Sequence, residues 1–139
     1  MGNTFSKVNR MNFEDIQEAI KNKNDYILIN TLPASEQNIL IMNTVKADDE
    51  IRVVETAIKA KKIIIIYGRN NSDQSIFDKY TQILRLGHTK LYLYMGGIFE
   101  WLLLQDIYGD DQFKTTSREL DILKYKPIST FKTLYLTDN

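Results

Sequence analysis

The chain has 139 residues, 43% of them hydrophobic and 26% charged, and its 18 basic and 18 acidic side chains cancel. That length supports one domain with its own core, and the charge balance leaves no bulk field to hold a nucleic acid, so none is expected as a partner. With no cysteine and a single histidine, the chain lacks the means for disulfides, thiolate chemistry, a Cys- or His-rich metal site or a Ser-His-Asp set, and neither a metal nor a cofactor is expected.

The first residues, Met1-Gly2-Asn3-Thr4-Phe5-Ser6, fit the acceptor pattern for N-myristoylation at Gly2. The alternative is an unmodified, mobile start. One myristoyl chain gives only marginal, reversible membrane binding, and the nearby second signal is confined to Lys7 and Arg10. A loose peripheral contact is the expectation. No apolar run reaches about 18 residues and no signal peptide is visible, which predicts a protein on the cytosolic side.

Asn12 is placed to cap a helix over 13–20, with acidic residues in its first turn and Phe13, Ile16 and Ile20 on one face. A polar break at 21–24 leads to a short strand, Tyr26 to Ile29. Pro33-Ala34-Ser35-Glu36 makes a turn, and 38–42 reads as a second strand. A helix is predicted from Asp48 to Ala60, with Ile51, Val54 and Ile58 buried and Lys59, Lys61 and Lys62 as its solvated basic end.

The most apolar stretch, Ile63 to Tyr67, reads as a central parallel strand buried on both faces. Gly68-Arg69-Asn70-Asn71-Ser72-Asp73-Gln74-Ser75 follows as a polar loop, and a helix runs from it to Gly87. His88 falls in the next turn, where a solvated side chain is expected. Lys90 to Tyr94 makes the last strand, with Tyr92 and Tyr94 opposite Leu91 and Leu93. The helix over 98–108 is apolar nearly all round, so something must cover it: the tail, with a short capped helix at 117–123 and an apolar run at 131–136, or else a partner.

Tyr67-Gly68-Arg69, the helix ending at Gly87, the strand to Tyr94 and Gly96-Gly97-Ile98-Phe99-Glu100-Trp101 together resemble the rhodanese-like family. Its members usually read Tyr-Cys-Arg at the first position and Gly-Gly-x-x-x-Trp at the last. The resemblance implies an α/β three-layer sandwich, a mainly parallel central sheet flanked by helices. It divides the chain into an N-terminal segment 1–11, a domain 12–108 and a C-terminal extension 109–139. This chain departs from the pattern where chemistry would occur: Gly68 stands at the place of the nucleophilic cysteine. Asn30-Thr31-Leu32 also replaces the usual Asp-x-Arg, and Gln37-Asn38-Ile39 keeps only the isoleucine of Gly-His-Ile. The loop is somewhat longer than a plain rhodanese-like one, closer to the roomier loop of the family's phosphatase branch. Gly96-Gly97 is expected to permit a close backbone approach, and Trp101 to lie in the core.

Ligands of open α/β sheets gather where a strand's carboxyl end meets a helix N-terminus, which puts the candidate site at Gly68 to Ser75. Its Gly and Asn residues tolerate left-handed backbone and could form an anion-binding nest, with Arg69 adding a charge. Ser72 or Asp73 could equally cap the helix and occupy the anion's place. The resulting expectation is a catalytically inactive rhodanese-like domain, a binding or regulatory module for a protein partner or a small anion. Two alternatives stand beside it: an assembly protein that uses helix 98–108 and the tail as an interface, and an enzyme with non-thiol chemistry at the loop.

Overall fold

The computed structural model describes residues 8–132, so Gly2 and most of the apolar run at 131–136 lie outside the described residues. Five parallel strands, β1 (Arg10–Met11), β2 (Tyr26–Asn30), β3 (Thr44–Val45), β4 (Ile63–Tyr67) and β5 (Leu91–Tyr94), form one sheet in the order β1-β5-β4-β2-β3. β4 is central, as its unbroken isoleucines require. Ile64 and Ile66 face one side and Ile65 and Tyr67 the other, all fully buried.

Two helices cover each face. On the side of Ile65 and Tyr67 lie α1 (Phe13–Lys21) and α4 (Gly97–Tyr108), which contribute Ile16, Ala19, Trp101 and Leu102 to that core. On the side of Ile64 and Ile66 lie α2 (Glu50–Lys59) and α3 (Ser75–Arg85), with Val54, Ala57, Ile76, Tyr80 and Ile83. Asn12 caps α1 as expected. Its Oδ1 accepts the Glu14 and Asp15 amides, and Asp15 Oδ2 accepts the Asn12 amide in return.

The structure departs from expectation in several places. Residues 38–42 are not a strand of the sheet. Ile39, Leu40 and Ile41 are buried in succession rather than alternately, because this segment bonds to the tail: Met42 N–H donates to Lys114 O, Leu40 N–H to Thr116 Oγ1, and Thr116 N–H to Leu40 O. The sheet's outer strand is instead Thr44–Val45. Arg10–Met11, within the segment expected to precede the domain, is the opposite edge strand and pairs with Leu93 and Tyr94. A two-residue edge strand carries too little periodicity to be read from sequence.

α2 begins after a 3-10 turn at Ala47–Asp49, and Ile51 is 77% exposed. Ala57, a turn behind Val54, completes the buried stripe in its place. His88 is buried, with its Nε2 2.7 Å from Lys62 O, and so ties the turn before β5 to the turn before β4. No helix forms over 117–123; a 3-10 turn occupies Ile122–Tyr125. The tail nonetheless covers one side of α4. Phe113 meets Trp101 edge to face at 5.0 Å, Trp101 Nε1 donates to Lys114 O and Gln105 Nε2 to Phe113 O. Leu103 and Ile107 on its other side stay exposed, as does Tyr108 beside Phe113.

Candidate functional site

The loop after β4 is fixed first by the chain that follows β5. Gly97 has φ +67 and brings the start of α4 against the loop, so that Ile98 N–H donates to Gly68 O at 3.0 Å and Phe99 N–H to Arg69 O at 2.9 Å. A Cβ on Gly97 would lie 2.6 Å from Gly68 O. The expected close backbone approach is therefore real, and only glycine permits it.

Within this frame the loop closes on itself. Asp73 Oδ2 accepts the Arg69 amide at 2.8 Å, and Asp73 Oδ1 accepts the Ser75 amide at 3.0 Å and lies 2.6 Å from Ser75 Oγ. The carboxylate thus bridges the end of β4 and the first residue of α3, the ground on which an oxyanion would be held. Ser75 Oγ also lies 2.7 Å from Thr31 Oγ1. Asn70, buried, accepts the Ser72 amide with Oδ1 and donates from Nδ2 to Tyr125 O at 2.8 Å. No residue from Gly68 to Ser75 has a positive φ, so the inward-turned nest that the composition allows is not formed.

Arg69 is likewise engaged. Its Nη1 sits 2.7 Å from both carboxylate oxygens of Glu36, its Nη2 donates to Lys124 O at 3.3 Å, and the guanidinium lies 5.4 Å from the centre of the Tyr125 ring. Glu36, Lys124 and Tyr125 come from the turn after β2 and from the tail. Nothing in the local sequence points to them, since their partners are 33 to 56 residues away. Outside the closed loop runs a cleft of about 530 Å³, bordered by Pro33, Ser72, Gln74, Lys126 and Ile128. Ser72 and Gln74 are exposed on its rim and Arg69, Asp73 and Ser75 line it, whereas Gly68 and the exposed Asn71 do not.

Chemically the loop is poor. Ser75 is held by Asp73 and Thr31, and His88 lies at the amino end of the strands, across the sheet from the loop. Among the described residues no group of three or more His, Asp or Glu side chains could hold a metal ion. Burial pushes the Tyr67 phenol well above its ordinary range, and burial with a hydrogen bond to Glu100 does the same for Tyr94. Both stay protonated. Tyr67 Oη accepts the Ile41 amide at 3.1 Å and pairs with Thr44 Oγ1 at 2.7 Å, so it pins the irregular segment beside β3.

A yeast protein tyrosine phosphatase of the rhodanese family superposes on the chain with a TM-score of 0.60 at 14% identity, over 83% of this chain and 96% of the phosphatase. The fold is rhodanese-like. Other solved structures that superpose on the chain are an As–Sb reductase from Leishmania major (TM-score 0.56, 16% identity, 96% and 100% covered) and a protein from Bacillus halodurans (TM-score 0.59, 15% identity, 92% and 89% covered). No family model matches the sequence, and no curated protein matches it. In the rhodanese-like fold the chain keeps the strand, loop and helix that frame a site, while the position after Tyr67 is a glycine facing a carboxylate. Among the described residues no helix is long and apolar enough to cross a membrane.

Proposed function

We propose that this chain is a catalytically inactive rhodanese-like domain acting as a binding or regulatory module, attached loosely to a membrane through its N-terminal segment. The observation that carries the reading is the place of Asp73. Sulfur transfer needs an atom that can hold a persulfide, and the related phosphoryl transfer needs one that can accept phosphate. Gly68 has neither, and the space in front of it is filled by a carboxylate bonded to the loop's own amides. That negative charge also repels the oxyanion either reaction would bring. What the loop leaves for recognition is its outer cleft, where Lys126 offers positive charge to a protein partner or a small anion.

The test is turnover of thiosulfate and of an aryl phosphate by the purified wild-type protein. The expected rate equals that of buffer at every protein concentration, and a rate rising in proportion to protein would overturn the proposal. Mass spectrometry of the protein from its native source tests the attachment: an acylated Gly2 supports it, and free Gly2 or retained Met1 throughout would end it.

The exposed apolar side chains Leu103, Ile107 and Tyr108 on α4, with Leu120 and Leu123 on the tail, favour a second reading, an assembly interface. Analytical ultracentrifugation separates the two, because a module sediments as a monomer and an assembly protein as a dimer or larger species.

A further inference from the structure

The charges of this chain cancel in sum but not in place. At the amino end of the sheet, away from the loop, the C-terminus of α2 and the turns before β4 and β5 come together, joined by the hydrogen bond from His88 to Lys62 O. Ile64 N–H donates to Lys90 O at 2.9 Å, which sets Lys90 beside the head of β4. Lys59, Lys61, Lys62, Arg85 and Lys90 therefore project at one end of the molecule, and of these only Lys62 is partly covered. None of the five forms an ion pair among the described residues. The acidic side chains beside them are Asp25, whose carbonyl accepts the Ile63 amide, and Glu55, one turn back from Lys59. Both helices also end here, and cationic side chains suit those ends.

Three further features give this surface a direction. Leu86, 59% exposed, directly follows Arg85 at the C-terminus of α3. Lys61 holds φ +56, a left-handed position where glycine is the residue without strain, yet a charged side chain occupies it. The described chain also starts here: Asn9 O accepts the Leu93 amide and Arg10 pairs with Leu93, which sets Val8 level with Leu91 at the amino end of β5.

We infer that the amino end of the sheet, formed by Lys59, Lys61, Lys62, Arg85 and Lys90 with Leu86, is a docking surface for an anionic membrane. The inference rests on, and deepens, the proposed membrane attachment. It supplies the second signal that a single acyl chain needs and that the N-terminal segment alone does not contain. Clustered lysine and arginine attract anionic headgroups, and the attraction fades within a Debye length. An exposed apolar side chain beside Arg85 suits the acyl boundary. A nucleic acid would gain nothing from Leu86.

The experiment uses the full chain without any acyl group, so that the surface is tested separately from Gly2. Partitioning onto pure phosphatidylcholine vesicles is compared with partitioning onto vesicles containing phosphatidylserine, at low and at high salt. The expected result is binding to phosphatidylserine vesicles only, lost at high salt. Each charge removed in the series Lys61→Gln, Arg85→Gln, Lys90→Gln should weaken it roughly fivefold, and Leu86→Ser should weaken it further at unchanged charge. Equal partitioning onto both vesicle types, no partitioning onto either, or an unchanged affinity in the triple variant with native circular dichroism would each overturn the inference. So would tighter binding to a DNA duplex or RNA hairpin at the same salt. An unmodified Gly2 combined with charge-dependent vesicle binding would end the acyl attachment and leave this surface standing.

Discussion

Placing a side chain at Gly68 is the direct test of whether the loop is closed by Asp73. A Cβ there would stand 2.4 Å from Asp73 Oδ2 and 2.9 Å from both Asp73 Cγ and Ile76 Cγ2, closer than non-bonded heavy atoms can remain. The carboxylate must swing out, and it leaves behind the amides of Arg69 and Ser75 that it accepts at 2.8 and 3.0 Å. Loss of a carboxylate cap costs about 2 kcal/mol at the upper end of its range, and crowding Ile76 adds roughly 1 kcal/mol. Gly68→Ala should therefore lose about 3 kcal/mol and Asp73→Ala about 2 kcal/mol. Because the two changes break the same bonds, the double variant should also lose about 3 kcal/mol, for a coupling of about 2 kcal/mol. Urea denaturation followed by far-ultraviolet circular dichroism gives the three differences, provided the slopes agree. Losses that add to within about 0.5 kcal/mol would refute the reasoning, since independent sites behave that way. The same geometry bears on restoring a nucleophile. Gly68→Cys alone should show no sulfurtransferase activity, because its Sγ starts from a Cβ with no room, and only the combination with Asp73→Gly opens that space.

Gly97→Ala should lose at least about 3 kcal/mol in the same denaturation assay: its Cβ meets Gly68 O at 2.6 Å at a φ of +67, and relief requires breaking the bonds from Ile98 and Phe99 to the loop. Tyr67→Phe should cost about 1–3 kcal/mol, because it leaves the Ile41 amide, on a fully buried residue, without its acceptor; a loss below about 0.5 kcal/mol would mean that another acceptor is available. Burial raises Tyr67, Tyr94 and Tyr125 above the ordinary phenol value of 10.0. Their share of stability is complete below pH 10 and is lost as pH rises beyond it, because the unfolded chain then releases protons that the folded one keeps. Absorbance of phenolate against pH should accordingly show these three ionising only with the loss of circular dichroism; their titration near pH 10 with the fold intact would contradict the burial argument.

Elements with strong internal periodicity were legible in the residues. The isoleucine run at Ile63 to Ile66 admits little but a doubly buried strand, and Asn12 followed by Asp15 carries a complete capping box. Gly96-Gly97 and Trp101 took their expected roles, because a close approach and a large buried ring are demands that few residue types meet. Residues 38–42 misled because Ile39, Leu40 and Ile41 form an apolar run like a strand's, while their partners are Tyr67 and the tail. His88 misled because a turn is usually solvated, yet this turn folds back onto Lys62. The loop was legible in outline: position, missing nucleophile and a side chain able to stand in for an anion. Which side chain did so was not legible, nor that Arg69 would be taken up by Glu36, Lys124 and Tyr125.

Local composition was enough to exclude thiol chemistry, since a residue type that never occurs cannot be supplied by folding, and enough to lay out strand and helix from spacing alone. The arrangement of charge needed the folded chain. Glu36 meets Arg69 only once the turn after β2 lies against the loop after β4, and the basic residues of two helix ends and two turns, spread from Lys59 to Lys90, become one surface only when β4 and β5 lie side by side. Electrostatic interaction depends on distance through space, and separation along the chain says little about it until the sheet has formed.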